Sequence, residues 1–190
     1  MEINVVDVSD RGLLRTEWRL QQLGKTVIES NLDISNAVAQ MVKDVIAAAG
    51  SPGSVSVLRI YSHGNKGVFN IAGEIGYDKD GKKENYSTEK DGNAIAVSNI
   101  KQLEPFLRNL APYFAPQARV ELQGCLVGGG SEGETLLREL ARIWRVRVQA
   151  STEESSITAI EFTGLVVEAS PSGGLTSSPA TPMAAEKTGR

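Results

Sequence analysis

The sequence predicts a three-layer α/β/α sandwich built on a mostly parallel sheet, and three observations carry that prediction. Apolar runs of strand length alternate with stripes of helical period along 190 residues, the pattern of repeated βαβ units. Two of the strand-like runs end in a chemically reactive residue beside a glycine, His63-Gly64 and Gly124-Cys125. These are also the chain's single histidine and single cysteine. Right-handed crossovers bring the carboxyl ends of parallel strands to one edge, where ligands and reacting groups collect. A sheet covered on both faces, with about six main strands, is the expectation for such a chain.

Taken in order, Ile3 to Val8 is an apolar run closed by Ser9-Asp10-Arg11-Gly12, a buried first strand and a loop. Leu13 to Leu23 carries Leu13, Leu14, Trp18 and Leu20 in partial helical phase, and Gly24 stops it. Lys25 to Ser30 is the second strand. Asp33 or Ser35 then caps a helix through Ala49, in which Ile34, Val38, Met41, Val42, Val45 and Ile46 form one stripe. Val55 to Tyr61 is the third strand, running into Ser62-His63-Gly64.

Beyond the Asn65-Lys66-Gly67 turn, Val68 to Ala72 reads as a strand that pairs with Ala94 to Val97. Between them, 76–93 is Asp, Lys, Glu, Gly and Asn with almost nothing apolar, a solvated insertion loop. Its Asp78, Asp80, Glu84, Glu89 and Asp91 are hard oxygen donors of the kind Ca²⁺ takes, but Gly81 falls too early for an EF-hand. A solvated loop is the reading taken, with no metal or cofactor expected. Lys79, Lys82, Lys83 and Lys90 also make it a candidate processing site.

Asn99 with Gln102 has the spacing to cap a helix whose Ile100, Leu103, Phe106, Leu107 and Leu110 share a face, bounded by Pro112 and Pro116. Arg119 to Gln123 is the central strand. Gly124-Cys125 and the glycines Gly128 to Gly130 follow it, and Ser131 with Glu134 matches a capping box. The next helix turns Leu136, Leu137, Leu140, Ile143 and Trp144 inward, with acids early and arginines late, as the helix dipole favours. Val146 to Ala150 and Ile160 to Ala169 are the last strands, separated by the polar loop Ser151 to Ser156. The domain therefore spans 1–169, and 170–190, rich in Ser, Pro, Thr, Gly and Ala, reads as a disordered tail or linker.

Composition narrows the function classes. A formal net charge of -3 gives no general attraction to nucleic acid. One cysteine excludes an intrachain disulfide framework and a cysteine-based metal site. No apolar run reaches membrane-spanning length. The N-terminus lacks a basic region followed by an apolar stretch, so the cytoplasm is the default location; a piece of a larger exported protein would look the same. The run Gly128-Gly-Gly-Ser-Glu-Gly-Glu-Thr135 lacks the Gly-Lys-(Ser/Thr) ending of a phosphate loop, and its acids oppose a phosphate.

The residues leave three readings open. A lone cysteine is by habit a small buried hydrophobe. Cysteine and histidine together, each at a strand's carboxyl end and beside glycine, read as a thiolate nucleophile and its base. The other two readings are a catalytically silent interaction domain and a flavodoxin-like module binding an anion or nucleotide at the Gly128 turn.

The pairing of strand–Ser62-His63-Gly64 with strand–Gln123-Gly124-Cys125 resembles the caspase-like cysteine peptidases of the caspase–hemoglobinase fold. It is most similar to uncharacterised bacterial caspase-like domains of large surface proteins. They share Val6-Asp7, the Ser-His-Gly turn, the Gly-Cys turn with Gly128 to Gly130, and Ala150-Ser151, so the resemblance covers Ile3 to Ser151. Against the caspase signature Gln-Ala-Cys-(Arg/Gln/Gly)-Gly, Gly124 stands for the alanine and Leu126-Val127 for the last two residues. The arginine is absent, so aspartate specificity is not carried over.

The resemblance implies an endopeptidase acting on a peptide or protein substrate. Cys125 is its nucleophile and His63 its acid and base, and the backbone N–H groups of Gly64 and Cys125 hold the oxyanion. The primary pocket in such a fold is built from strand ends. Asp7 and Asp10 after the first strand, and Ser151 and Glu153 within the loop that runs on to Glu154, are its candidate lining, and an acid there selects Arg or Lys.

Overall fold

A computed structural model describes residues 1–31, 36–72, 92–154 and 160–180, together with the backbone of 75–77 and 83–85. Its elements are β1 (Glu2–Asp7), α1 (Leu14–Gln22), β2 (Thr26–Ser30), α2 (Ala37–Ala49), β3 (Val55–Tyr61), β4 (Gly64–Asn65), β5 (Val68–Asn70), β6 (Ile75–Tyr77), β7 (Lys83–Asn85) and β8 (Ala94–Ala96). Then come α3 (Ile100–Leu107), a 3₁₀ segment (Arg108–Tyr113), β9 (Phe114–Gln123), α4 (Gly130–Trp144), β10 (Arg147–Ser151), β11 (Leu165–Ala169) and β12 (Leu175–Pro179).

The main sheet has seven strands in the order β12-β11-β10-β9-β3-β1-β2. Pairing is parallel from β2 through β1, β3 and β9 to β10, and antiparallel at β11 and β12. The predicted α/β/α class is the observed one. Right-handed crossovers explain its layering. The step from β1 to β2 runs one way along the sheet and sends α1 to one face. The steps to β3, β9 and β10 run the other way and send α2, α3 and α4 to the opposite face. Helices α2, α3 and α4 pack in sequence against one another on that side.

Helices lie on both faces, as expected, but their coverage is unequal. Ala118, Val120 and Leu122 of β9 are buried under the three-helix layer, while Arg119, Glu121 and Gln123 alternate onto the other face. Leu58 and Ile60 against Arg59 and Tyr61 in β3 repeat the pattern, as do Val148 and Ala150 against Arg147 and Gln149 in β10. Among the described residues α1 is the one helix on that second face, and it contacts β1 and β2. Beside it the polar face holds an ion-pair chain. Arg59 bridges Glu2 at 2.6 Å and Glu121 at 2.7 Å, and Arg119 meets Glu121 at 2.7 Å. A cleft of about 280 Å³ lies over these residues.

The apolar layer is continuous. Trp144 is fully buried, donates its indole N–H to the Leu107 carbonyl at 3.1 Å, and meets the Phe114 ring at 6.4 Å and 58°. In α1, Leu13 before it and Leu20 within it are buried, while Leu14 and Trp18 point to solvent.

Several local expectations change. Leu175–Pro179, placed in a disordered tail, is an edge strand on β11, turned back through Ser170–Gly174 where Gly173 has φ 87°. Ser170 Oγ accepts the Gly174 N–H there at 3.0 Å. The strand expected over Ile160 to Ala169 begins at Leu165, as β11. The insertion contains the β6–β7 hairpin, Ile75–Tyr77 against Lys83–Asn85; its proposed Ca²⁺ donors and lysines have side chains outside the described residues. Pro116 does not bound a helix but lies in β9, at an irregularity where Gln117 has φ 64° and the β3 register shifts.

Caps differ too. Asn36 caps α2 by accepting the Ala39 N–H at 2.9 Å; Asp33 and Ser35 lie outside the described residues. Asn99 makes no helix cap and ties β8 instead, accepting from Ala96 N–H and donating to the Ala94 carbonyl. Ser131 donates to Glu132, and α4 begins at Gly130 with no side-chain cap. Phe106, expected inward, is exposed.

Candidate functional site

Five consecutive parallel strands end along one edge of the sheet, and register fixes which residues meet there. Val6 lies opposite Tyr61 and Tyr61 opposite Gln123, so the next residues, Asp7, Ser62 and Gly124, form a row just past the paired positions. Strand order reverses at β1, because β2 lies on one side of it and β3 on the other. In α/β sheets such a reversal is the usual place for a ligand. His63 lies at the β3 end beside it, and Cys125 lies at the neighbouring β9 end. The 62 positions between them in sequence are closed by one strand spacing of about 4.8 Å.

The two turns fit against each other through their glycines. A Cβ on Gly124 would lie 2.9 Å from the Ser62 carbonyl oxygen and 2.8 Å from the Phe69 ring. An alanine at this position, as in the resembled signature, does not fit. A Cβ on Gly64 would lie 2.3 Å from Val127 and 3.2 Å from the Cys125 carbonyl oxygen. Ser62 N–H donates to the Gln123 carbonyl at 3.3 Å.

Cys125 is half-buried, and Leu126 after it has φ 60°, a left-handed conformation unfavourable for a branched side chain. Hydrogen bonds from elsewhere hold this turn. Leu126 N–H donates to the Glu153 carbonyl at 3.0 Å, Gly128 N–H to the Ser151 carbonyl at 2.9 Å, and Gly129 N–H to the Leu126 carbonyl at 2.8 Å. From behind, α4 presses on it at Gly133, where a Cβ would lie 2.4 Å from the Gly128 carbonyl carbon.

Gly64 opens β4, the edge of a small sheet ordered β4-β5-β8. Asn70 N–H donates to the His63 carbonyl at 2.9 Å, and Gly64 pairs opposite Phe69. Bonded and non-bonded pairs alternate in an antiparallel ladder, so the Gly64 N–H faces away from β5.

The four residues expected to line a pocket are placed differently from one another. Asp7 is fully buried and is not a pocket wall. Its carboxylate accepts the Ser62 hydroxyl at 2.9 Å, the Ser9 N–H at 3.1 Å and the Ser9 hydroxyl. Ser151 is also fully buried, with its hydroxyl among Thr163 and Glu153 backbone atoms. Asp10 pairs with His63 Nε2, and its other oxygen accepts the Gly12 N–H at 2.6 Å. Glu153 is exposed beside the Cys125 turn, its carboxylate accepting the Leu165 N–H at 3.3 Å.

Sequence reasoning gave no role to Ser9 or to the Ser62 hydroxyl. The Asp7-x-Ser9 spacing was the available signal, since aspartate commonly binds the backbone two residues on. At the start of α4, Glu132 is held below the ordinary carboxylate range by its own backbone N–H, then Ser131 and Lys66. Among the described residues no group of three or more His, Cys, Asp or Glu side chains is placed to hold a metal ion. Nor, among them, is any helix long and apolar enough to cross a membrane. A family model described as a domain of unknown function, DUF4347, matches residues 19–159. No curated protein matches the chain.

Proposed function

The chain belongs to the DUF4347 family, and on that premise we propose that it is a caspase-like cysteine endopeptidase with a His63/Cys125 dyad. One observation carries the reading: the only imidazole and the only thiol follow adjacent parallel strands at the sheet's carboxyl edge, each beside a glycine that no side chain could replace without displacing its neighbour. A thiolate is the nucleophilic form of cysteine. In the proposed step His63 takes the Cys125 proton, and the sulfur adds to the peptide carbonyl carbon. The oxyanion is held by the Gly64 and Cys125 N–H groups. Collapse of that adduct breaks the C–N bond as His63 returns the proton to the leaving amine. Water then adds to the thioester and releases the acid and the thiol.

A preference for Arg or Lys at the cleaved position keeps one supporting acid. Asp7 and Ser151 are buried and Asp10 is occupied by His63, which leaves Glu153, exposed beside the nucleophile turn. The second reading, a silent interaction domain, is favoured by the half-covered sheet face with its charged cleft. A pooled fluorogenic peptide library varied at the cleaved residue separates the two. Turnover abolished by Cys125→Ala and by His63→Ala supports the peptidase. No Cys125-dependent turnover, with Cys125 labelled by an electrophilic probe no faster than an unfolded-chain thiol, rejects it.

A further inference from the structure

We infer that Asp10 is the positioning residue of this site: it fixes the single imidazole as its Nε2–H tautomer, so that Nδ1 is the ring nitrogen that exchanges protons with Cys125. The inference deepens the peptidase reading and rests on it for its catalytic half. Its structural half stands alone.

The argument starts from proton inventory. An ionised carboxylate only accepts hydrogen bonds, so the contact between Asp10 Oδ2 and His63 Nε2 requires the proton on Nε2. In the neutral ring that leaves the lone pair on Nδ1. Strand order gives direction. Asp10 arrives from the end of β1 on one side of β3, while Cys125 arrives from the end of β9 on the other. His63 sits between them, with Nε2 committed to the β1 side. Nδ1 is the nitrogen left for chemistry on the β9 side.

The carboxylate is itself held. Its Oδ1 accepts the Gly12 N–H at 2.6 Å, which fixes its plane, and the side chain is mostly buried, at 13% exposure against 20% for His63. Three residues earlier, Asp7 binds the Ser62 hydroxyl at 2.9 Å, so β1 grips the backbone residue before His63 as well as the ring. Two successive carboxylates from one turn thus set both the position and the tautomer of the base. A carboxylate in this role raises the rate by holding the right tautomer rather than by touching substrate.

The experiment uses the full chain with ¹⁵N-labelled histidine; one histidine means one pair of ring nitrogen signals. At a pH where the ring is neutral, Nε2 is expected at the protonated shift and Nδ1 at the unprotonated one. Asp10→Ala is expected to move both toward the mixed tautomer of free imidazole. Asp10→Asn, whose amide can donate to Nε2, is expected to move them toward the opposite tautomer. On a peptide found by the library screen, both variants are expected to lose about 10²- to 10⁴-fold in kcat with KM little changed. A wild-type ring protonated at Nδ1, or ring signals unmoved in Asp10→Ala, would overturn the inference. If a variant does not fold, the wild-type spectrum still decides the tautomer. If the wild-type chain cleaves no peptide, the spectra still decide the structural half, so that failure of the peptidase reading is told apart from failure of this one.

Discussion

Replacing Gly133 by alanine should destabilise a helix that intrinsic propensity says it should strengthen. In an exposed helix interior that change gains about 1 kcal/mol. Gly133 lies inside α4, yet a Cβ there would stand 2.4 Å from the Gly128 carbonyl carbon, 2.6 Å from the Val127 oxygen and 2.8 Å from the Gly128 oxygen. All three are backbone atoms, so no rotamer change relieves them. Restoring an ordinary 3.4 Å contact moves α4 and the Cys125 turn apart by about 1 Å. Overpacking of this kind costs roughly 1–3 kcal/mol and exceeds the propensity gain, giving a net loss of about 1 kcal/mol. For a chain of this size that lowers Tm by roughly 2–4 °C. A 1 Å misplacement at a reacting group costs about 10²-fold in turnover. Urea unfolding monitored by Trp fluorescence gives the stability, and the rate of Cys125 alkylation gives the state of the turn. A Gly133→Ala chain that is more stable than wild type, with an unchanged alkylation rate, would refute the close approach of α4 to this turn.

Four further outcomes follow from named contacts. Gly124→Ala should slow Cys125 alkylation and turnover by about tenfold or more, because Phe69 can tilt but the Ser62 carbonyl cannot move without carrying His63; unchanged rates would count against the apposed turns. Trp144→Phe should cost roughly 2–3 kcal/mol in urea unfolding, since it removes the indole bond to the buried Leu107 carbonyl and leaves a gap beside Phe114. Arg142 and then Arg108 hold the Glu104 carboxyl down to about 2 from an ordinary 4.5, so its stabilising contribution is complete above pH 4.5 and lost as pH falls through 2. In Arg142→Ala an NMR titration of Glu104 should move up toward the ordinary value, and a midpoint staying near 2 would sink that assignment. Glu153→Gln should reduce the preference for Arg or Lys over neutral residues at the cleaved position by about 10- to 100-fold; an unaltered preference would place the selecting acid elsewhere.

The skeleton of the site was legible because its signals are local. Arg119-Val-Glu-Leu-Gln alternates like a half-covered strand and stops at Gly124, and Val55 to Tyr61 stops in the same way at His63-Gly64. That alternation also carries the unequal coverage of the two faces, since Arg59, Glu121 and Gln149 are ill suited to a place under a helix layer. What failed to show depends on partners distant in the chain. Asp10 is 53 positions from His63, and nothing near it distinguishes a pocket wall from a ring partner. Asp7, a candidate pocket acid by its place at the first strand's end, is buried against Ser62 by the pairing of β1 with β3. The capping patterns at Asn99 and Ser131 had the right spacing, but Asn99 found better-placed groups on β8 and Ser131 found Glu132. Leu175–Pro179 has too little apolar content to announce a strand, and β11 supplies the template that makes it one.

The turn that carries Cys125 is completed by residues synthesised after it. Leu126 donates to the carbonyl of Glu153, just past β10, and Gly128 to that of Ser151 at its end, with the whole of α4 lying between donors and acceptors in the chain. A chain emerging from the ribosome therefore carries its thiol and imidazole long before it can hold the left-handed Leu126 conformation that shapes the thiol's seat. A chain ending upstream of Arg147 lacks both carbonyls that hold the Cys125 turn.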